Sequence, residues 1–277
     1  MSATSSKWIR ARDTMKELMV PVWRRPYPRV GVGIVTYNRP RYFQQIVHAA
    51  LTHFSPIADL FVHNDGSSPN DEYRRIFASL PKTVSICDSH ENHGIAPSKN
   101  ALLKAMKDYE YLFILEDDII PLSPSAIIEY VKASLRTGIE HFSFAHHGPA
   151  NASGPVSASG WVAFYPNAIG AWCMYTRRAI ETVGYLDENF HNAWEHVEYT
   201  HRLAKAGLTS PFWRFADVYG SQRWFREIPQ AIESSTIRNN PAWRRHMREG
   251  LVYWSQKDPE HFPLRHILEC LSRQEVA

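Results

Sequence analysis

Apolar and polar positions along the first two hundred residues fall into blocks of two alternating periods. Short β-branched or aromatic runs at 30–36, 59–63, 83–87 and 111–115 read as strands, and each leads toward a segment with apolar residues at helical spacing. The first such helix carries Ile46, Val47, Ala50 and Leu51, the second spans 71–79, and the third carries Ala101, Leu102, Leu103 and Met106. Beyond residue 116 the pattern predicts a helix over 125–136, strands over 141–145 and 170–175, and helices over 177–183 and 194–206, the last stopped by Gly207. Strands alternating with helices predict a parallel sheet covered on both faces, with ligands bound at the carboxyl ends of its strands. Residues 148–160, rich in Gly, Ser, Ala and Pro, show no periodicity and predict a functional or mobile loop. The simplest division is a basic arm over 1–28, one α/β domain over 29–210, and a Trp/Arg-rich extension over 211–277 packed on the same domain.

Composition alters this picture little, and charge alters it more. The 277 residues are 44% hydrophobic and 21% charged, which excludes a disordered or fibrous chain. No apolar run approaches the ~20 residues a bilayer span needs, and a signal peptide's apolar core is missing, so a soluble cytoplasmic protein is expected. Cys87, Cys173 and Cys270 are too few and too scattered for a disulfide framework or a thiolate zinc site, and read as buried inert thiols. The net charge of +3 hides an asymmetry, because residues 1–41 hold nine Lys/Arg against Asp13 and Glu17. Such an arm is either a solvated tail or an attractor of polyanions.

Four polar clusters carry candidate chemistry. Glu116-Asp117-Asp118 follows a buried strand directly, and three carboxylates so placed repel one another unless a cation shares their charge. Hard oxygen ligands suit Mg²⁺ or Mn²⁺. Asn64-Asp65-Gly66-Ser67 reads as an Asx-type turn at a strand end. The stretch from Asn92 through Gly94 to Lys99-Asn100 opens a helix, where backbone amides and a Lys hold phosphates or a base. In Trp194-Glu195-His196-Val197-Glu198, the residues Glu195, Glu198 and Arg202 share a helix face, and Glu198–Arg202 is also readable as a plain i,i+4 ion pair.

In order and spacing these clusters, with Thr36-Tyr37-Asn38-Arg39 before them and Gly170-Ala171-Trp172 and Gly184-Tyr185-Leu186-Asp187 between, resemble the successive motifs of GT-A nucleotide-sugar glycosyltransferases, family 2 above all, over about residues 30–210. The resemblance implies a Rossmann-like GT-A fold with a mainly parallel central sheet flanked by helices, a nucleotide-sugar part over about 29–120 and an acceptor part over about 121–210. It implies that Thr36, Tyr37, Asn38 and Arg39 lie along the donor nucleotide with Asp65, Asn92, Gly94, Lys99, Glu116 and Asp117. Asp118 becomes the metal ligand, for Mn²⁺ or Mg²⁺, and Trp172, Trp194 and Glu198 lie toward sugar or acceptor. The family's usual Glu-Asp pair is Glu195-His196 here, so either residue is a candidate base, Glu195 slightly favoured, and the choice between inversion and retention stays open.

The resemblance does not reach the acceptor. Trp213-Arg214, Arg223-Trp224-Phe225-Arg226 and Trp243-Arg244-Arg245 suit stacking on sugars and equally on nucleic-acid bases, or packing in a core with arginines outside. The acceptor is therefore a glycan or small molecule, or a hydroxymethylated base in DNA reached through the basic arm and this extension. A nucleotidyltransferase is disfavoured because residues 36–40 hold no glycine for a phosphate loop. The remaining alternative is a nucleotide-sugar or nucleic-acid binding protein that has lost catalysis.

Overall fold

The computed structural model describes residues 28–68, 71–263 and 267. In chain order its first half is β1 (Val30–Thr36), α1 (Pro40–His53), β2 (Asp59–Asn64), α2 (Asp71–Ser79), β3 (Ser85–Asp88), α3 (Ile95–Ala105), β4 (Tyr111–Glu116), β5 (Ile119–Pro121) and α4 (Ser125–Thr137). There follow β6 (His141–Ser143), β7 (Ser157–Ser159), β8 (Val162–Tyr165), β9 (Trp172–Thr176), α5 (Arg177–Val183) and α6 (Glu195–Lys205). β10 (Phe215–Val218), β11 (Phe225–Glu227), α7 (Pro229–Glu233) and α8 (Trp243–Lys257) complete the described elements.

The main sheet has the order β3-β2-β1-β4-β9-β6. β1 to β4 are mutually parallel, as the buried apolar runs of β1, β2 and β4 should be in a covered sheet, β3 is an exposed edge strand, and β9 enters antiparallel between β4 and β6. All seven residues of β1 are buried. The carboxyl ends of β1, β2 and β4 consequently lie side by side, and the turns after them bring residues 36–39, 64–67 and 116–118 to one edge. Local signals set the helix limits. Pro40 starts α1 where a missing N–H costs nothing, Thr176 caps α5 by accepting the Ala179 N–H at 3.0 Å, and Gly138 in a left-handed turn ends α4.

Four expectations change. The strand expected at 83–87 begins at Ser85, because Val84 closes a turn onto Pro81. The 148–160 segment is partly ordered, with a 3₁₀ turn at Pro149–Asn151 and β7 paired to β8. The helix expected from 194 starts at Glu195, since Trp194 sits in the left-handed region at φ 72°. Cys173 is buried as expected, whereas Cys87, on the sheet's edge strand, is exposed; Cys270 and the basic arm up to residue 27 lie outside the described residues. Among the described residues no helix is long and apolar enough to cross a membrane.

Trp172 requires a further correction, because the structure buries it completely instead of turning it toward a sugar. Its ring stacks on Phe113 at 4.8 Å and Phe54 at 5.4 Å, with Phe225 at 5.4 Å and Tyr130 edge-on at 6.3 Å. Two Trp/Arg motifs likewise spend aromatic rings on packing. Trp224 packs on the main core and Phe225 lies inside it, while Trp213 packs against Phe212 and Phe215. Truncating a fully buried aromatic loses burial and leaves a cavity, so Trp172→Ala should lower unfolding stability by about 3–5 kcal/mol. Urea denaturation checks this, and a loss below about 1 kcal/mol would show that Trp172 is not packed as described.

Candidate active site

Two adjoining cavities open at the carboxyl edge of the sheet. The first is an open cleft of about 720 Å³, solvent at its mouth included, between the β1 turn, the acidic triplet and the Asn92–Gly94 turn; the second, measured in the same way, spans about 1050 Å³ in front of α6. They share one wall, to which Glu116, Asp118, Ile95 and Asn192 contribute. Residues expected to act together are thereby brought together. Thr36, Tyr37, Arg39, Asp65, Asn92, Gly94 and Asp117 face the first lobe, and Trp194, Glu195 and His196 face the second.

The two turns of the first lobe hold each other in place. Asn38, at φ 53°, accepts the Ser68 N–H through its side chain at 2.8 Å, and its own N–H donates to Ser67 Oγ at 2.8 Å. Asn38 therefore clips the β1 turn to the β2 turn and does not line the cavity. Asp65 accepts Asn92 Nδ2, His93 N and Gly94 N at 2.9, 2.9 and 3.0 Å. Burial raises its pKa, and the hydrogen bonds from His63 and from these amides outweigh that, leaving the group below its usual range. Its carboxylate thus builds the 92–94 turn. Gly66 is required beside it, because it has φ 70° and a Cβ would stand 2.3 Å from the Glu91 backbone.

The acidic triplet finds its cations within the protein. Arg39 Nη1 lies 3.0 Å from Asp117 and 2.5 Å from Asp118, and Lys99 Nζ lies 2.7 Å from Glu116. Thr36 Oγ1 donates to Asp117 at 2.7 Å. Burial, with the charges of Asp118 and Glu116, still pushes Asp117 well above the ordinary carboxylate range despite Arg39. Arg39 therefore serves the triplet as well as the cavity wall.

Lys99 is placed differently from expectation. It is fully buried and faces neither lobe, lying beneath the shared wall between Glu116 at 2.7 Å and Glu195 at 3.4 Å. Burial alone would strip its proton, but the two carboxylates more than offset this and raise its pKa. Gly170 makes the arrangement possible, since a Cβ there would stand 2.8 Å from Glu116 Oε1 and 3.1 Å from Lys99 Nζ. Glu195 is buried at 4% exposure and also meets His196 Nδ1 at 3.1 Å. Burial favours its neutral form, yet His196 and Lys99 prevail and hold it at about 2. His196 is partly exposed in the second lobe, its Nε2 at 3.4 Å from the Ala168 carbonyl.

Glu198 is a correction of the same kind as Trp172. It is buried away from both lobes and takes Arg202 Nε at 2.9 Å and Lys257 Nζ at 2.8 Å, which ties α6 to α8. Trp194 does face the second lobe, and its indole N–H donates to the Met247 carbonyl at 3.0 Å. Sequence reasoning missed several lining residues. His147 stands 3.6 Å from Asp118 Oδ2 and 3.2 Å from Glu227, and Asn192 lines both lobes. Ser235, Thr236, Ile237 and Asn240 arch over the first lobe, Arg238 and Met247 line the second, and Trp243, from the Trp243-Arg244-Arg245 motif singled out in the sequence, lines it beside them. His147 and Asn192 carry no local signal, since each acquires its place only when distant segments meet.

Among the described residues no three His, Cys, Asp or Glu converge to hold a metal by themselves. The donor set still fits a hard cation that takes one protein carboxylate and completes its shell from ligand phosphates and water. With Arg39 on Asp118 Oδ1, the other oxygen, Oδ2, faces His147 beside the shared wall.

Over 99% of this chain and 90% of the other, the structure is similar to the mannosyltransferase PcManGT from Pyrobaculum calidifontis, solved in complex with GDP-Man and Mn²⁺, at a TM-score of 0.52 and 14% identity. It is also similar to S. aureus TarS 1-349, over 84% of this chain and 72% of that one, at a TM-score of 0.50 and 11% identity. The fold is that of the GT-A glycosyltransferases. Residues 31–134 match the model of glycosyl transferase family 2. Compared by sequence with curated proteins, it has no match.

The buried Glu116–Lys99–Glu195 series generates two expectations. Because the folded Glu195 is held at about 2 against an ordinary 4.5, its contribution to stability is full above about pH 4.5 and is lost as pH falls toward about 2. Glu195→Gln should flatten that part of the acid-denaturation profile, and an unchanged profile would contradict the ion pairing. Lys99→Met strands the buried carboxylate of Glu195 and the half-buried one of Glu116 and should cost about 3–5 kcal/mol in urea unfolding. A near-neutral Lys99→Met would mean that the cation is not needed there.

Proposed function

We propose that the first lobe binds a UDP-sugar and that the second admits the acceptor hydroxyl, the sugar crossing the shared wall between them. The observation that carries this reading is the wall itself. Glu116 and Asp118 border both lobes, the nucleotide-type turns stand on one side, and Glu195-His196 stands on the other. UDP is the nucleotide the motif set implies, and the GDP-Man bound by the Pyrobaculum neighbour makes GDP-mannose the natural comparison donor. The Mn²⁺ in that neighbour supports a divalent cofactor, Mn²⁺ or Mg²⁺, with Asp118 as its protein ligand and His147 beside it. When bound, such an ion neutralises charge growing on the departing diphosphate.

The chain's own residues carry the remaining roles. Tyr37 and the Asn92–Gly94 turn border the nucleotide, and Arg39 keeps Asp117 and Asp118 from repelling each other as anionic phosphates enter. Glu195 is buried and already committed to Lys99 and His196, which argues against it as the group that takes the acceptor's proton. His196 fits that role better, with Nδ1–H donated to Glu195 and Nε2, 3.4 Å from the Ala168 carbonyl, freed to accept the proton when the incoming hydroxyl replaces that contact. Glu195 then fixes ring and tautomer. Of the three Trp/Arg motifs only Trp243-Arg244-Arg245 reaches the site, which favours a glycan or small-molecule acceptor over a base flipped from DNA.

Screening UDP-sugars and GDP-mannose against sugar, peptide and hydroxymethylated-DNA acceptors by mass spectrometry tests the reading. Transfer is expected only with Mn²⁺ or Mg²⁺ present, and full activity in excess EDTA would remove the metal. Asp118→Asn should weaken donor binding and nearly abolish turnover. His196→Ala should cut the chemical step by about 10²–10⁴ while UDP still binds. Donor binding without product on every acceptor would instead indicate a binding protein.

A further inference from the structure

The second lobe is electrically polarised in a way that glycosyl transfer alone does not require. Its floor is acidic, but each carboxylate there has a partner: Glu116 has Lys99, Asp118 has Arg39, and Glu195 has Lys99 and His196. Its rim holds Arg238, which is exposed, lines this lobe and not the first, and has no side-chain ion pair or hydrogen bond among the described residues. The turn that presents it is fixed, with the Arg238 N–H donating to Ser235 Oγ at 3.2 Å and Asn239 Nδ2 to the Glu233 carbonyl at 2.6 Å. On α8, Trp243 and Met247 face the same lobe at i,i+4 spacing, and Arg244 and Arg248 lie one position along from each. Both arginines are exposed. From 234 to 248 the chain carries Arg238, Arg244, Arg245 and Arg248 and no Asp or Glu.

We infer that the acceptor carries an oxyanion, a phosphate ester or a carboxylate, at the end away from the hydroxyl that is glycosylated, and that Arg238 selects it. This rests on the second lobe being the acceptor site. A planar guanidinium matches either oxyanion by a bidentate pair, and with no carboxylate paired to it among the described residues, it is available to a ligand. The floor would repel an anion and the rim attracts one, so such an acceptor enters with its neutral hydroxyl toward His196 and its charged end at Arg238. The donor's diphosphate is the competing claimant. It is disfavoured because Arg238 does not border the first lobe.

Fluorescence titration of the full chain, read through Trp194 and Trp243, with glucose, glucose 6-phosphate and glucuronate measures the discrimination without requiring turnover. Glucose 6-phosphate or glucuronate should bind about tenfold more tightly than glucose, the difference between the two naming phosphate or carboxylate as the source. Arg238→Ala should erase that advantage, Arg238→Lys should restore part of it, and UDP affinity should stay within about twofold, whereas loss of a phosphate-binding group would cost tenfold or more. Equal binding of all three sugars, an advantage that survives Arg238→Ala, or a tenfold loss of UDP affinity in that variant would each overturn the inference. Transfer assays on the same sugars answer the separate question of whether this lobe is the acceptor site. Failure there with the binding preference intact would count against the proposed function and not against the oxyanion site.

Discussion

The rest of the site depends on one buried ammonium. Lys99 has no contact with solvent, and a lone cation there would be far too costly to keep charged. It persists because Glu116 comes from the end of β4 and Glu195 from the start of α6, each offering a carboxylate within 3.4 Å. The pairing joins two segments that the chain separates by almost eighty residues. It also leaves Glu195 ionised and directed at His196, so the charge state of the second lobe is set from beneath the shared wall. A buried pair of this kind adds little net stability compared with apolar packing, and its value lies in fixing one arrangement of the two segments.

Around that axis the remaining polar groups do local work. Arg39 and Thr36 manage Asp117 and Asp118, while Asp65 spends both oxygens on the amides of residues 92–94. The aromatic core built on Trp172, Phe113 and Phe54 lies under the sheet and keeps β4 and β9 in register. Glu198, joined to Arg202 and Lys257, anchors α6 against α8, which carries Trp243 and Met247 to the second lobe. The site is thus preorganised by polar groups that are already paired with one another within the protein.

Most of the fold was legible because strand and helix periods are strong where both faces of a sheet are covered. The runs at 30–36, 59–63 and 111–115 reappear within a residue or two as strands, and the turn clusters after them do form one edge. Burial was less legible. A Trp or Glu in a motif looks the same whether it faces a ligand or a core, and Trp172 and Glu198 were decided by packing partners far along the chain, Phe54 and Lys257. Lys99 reads as a phosphate binder at a helix start, yet tertiary pairing with Glu195 draws it underneath the wall. His147 and Asn192 were invisible, since neither lies in a periodic element or a recognisable spacing.

The most direct measurement is a crystal structure with UDP and Mn²⁺ bound, the ion located by its anomalous scattering. The account predicts the base beside Tyr37 and the Asn92–Gly94 turn, the Mn²⁺ on Asp118, and the terminal phosphate at the shared wall facing His196, with Lys99 still between Glu116 and Glu195. A nucleotide seated in the second lobe, or an ion that avoids Asp118, would contradict it.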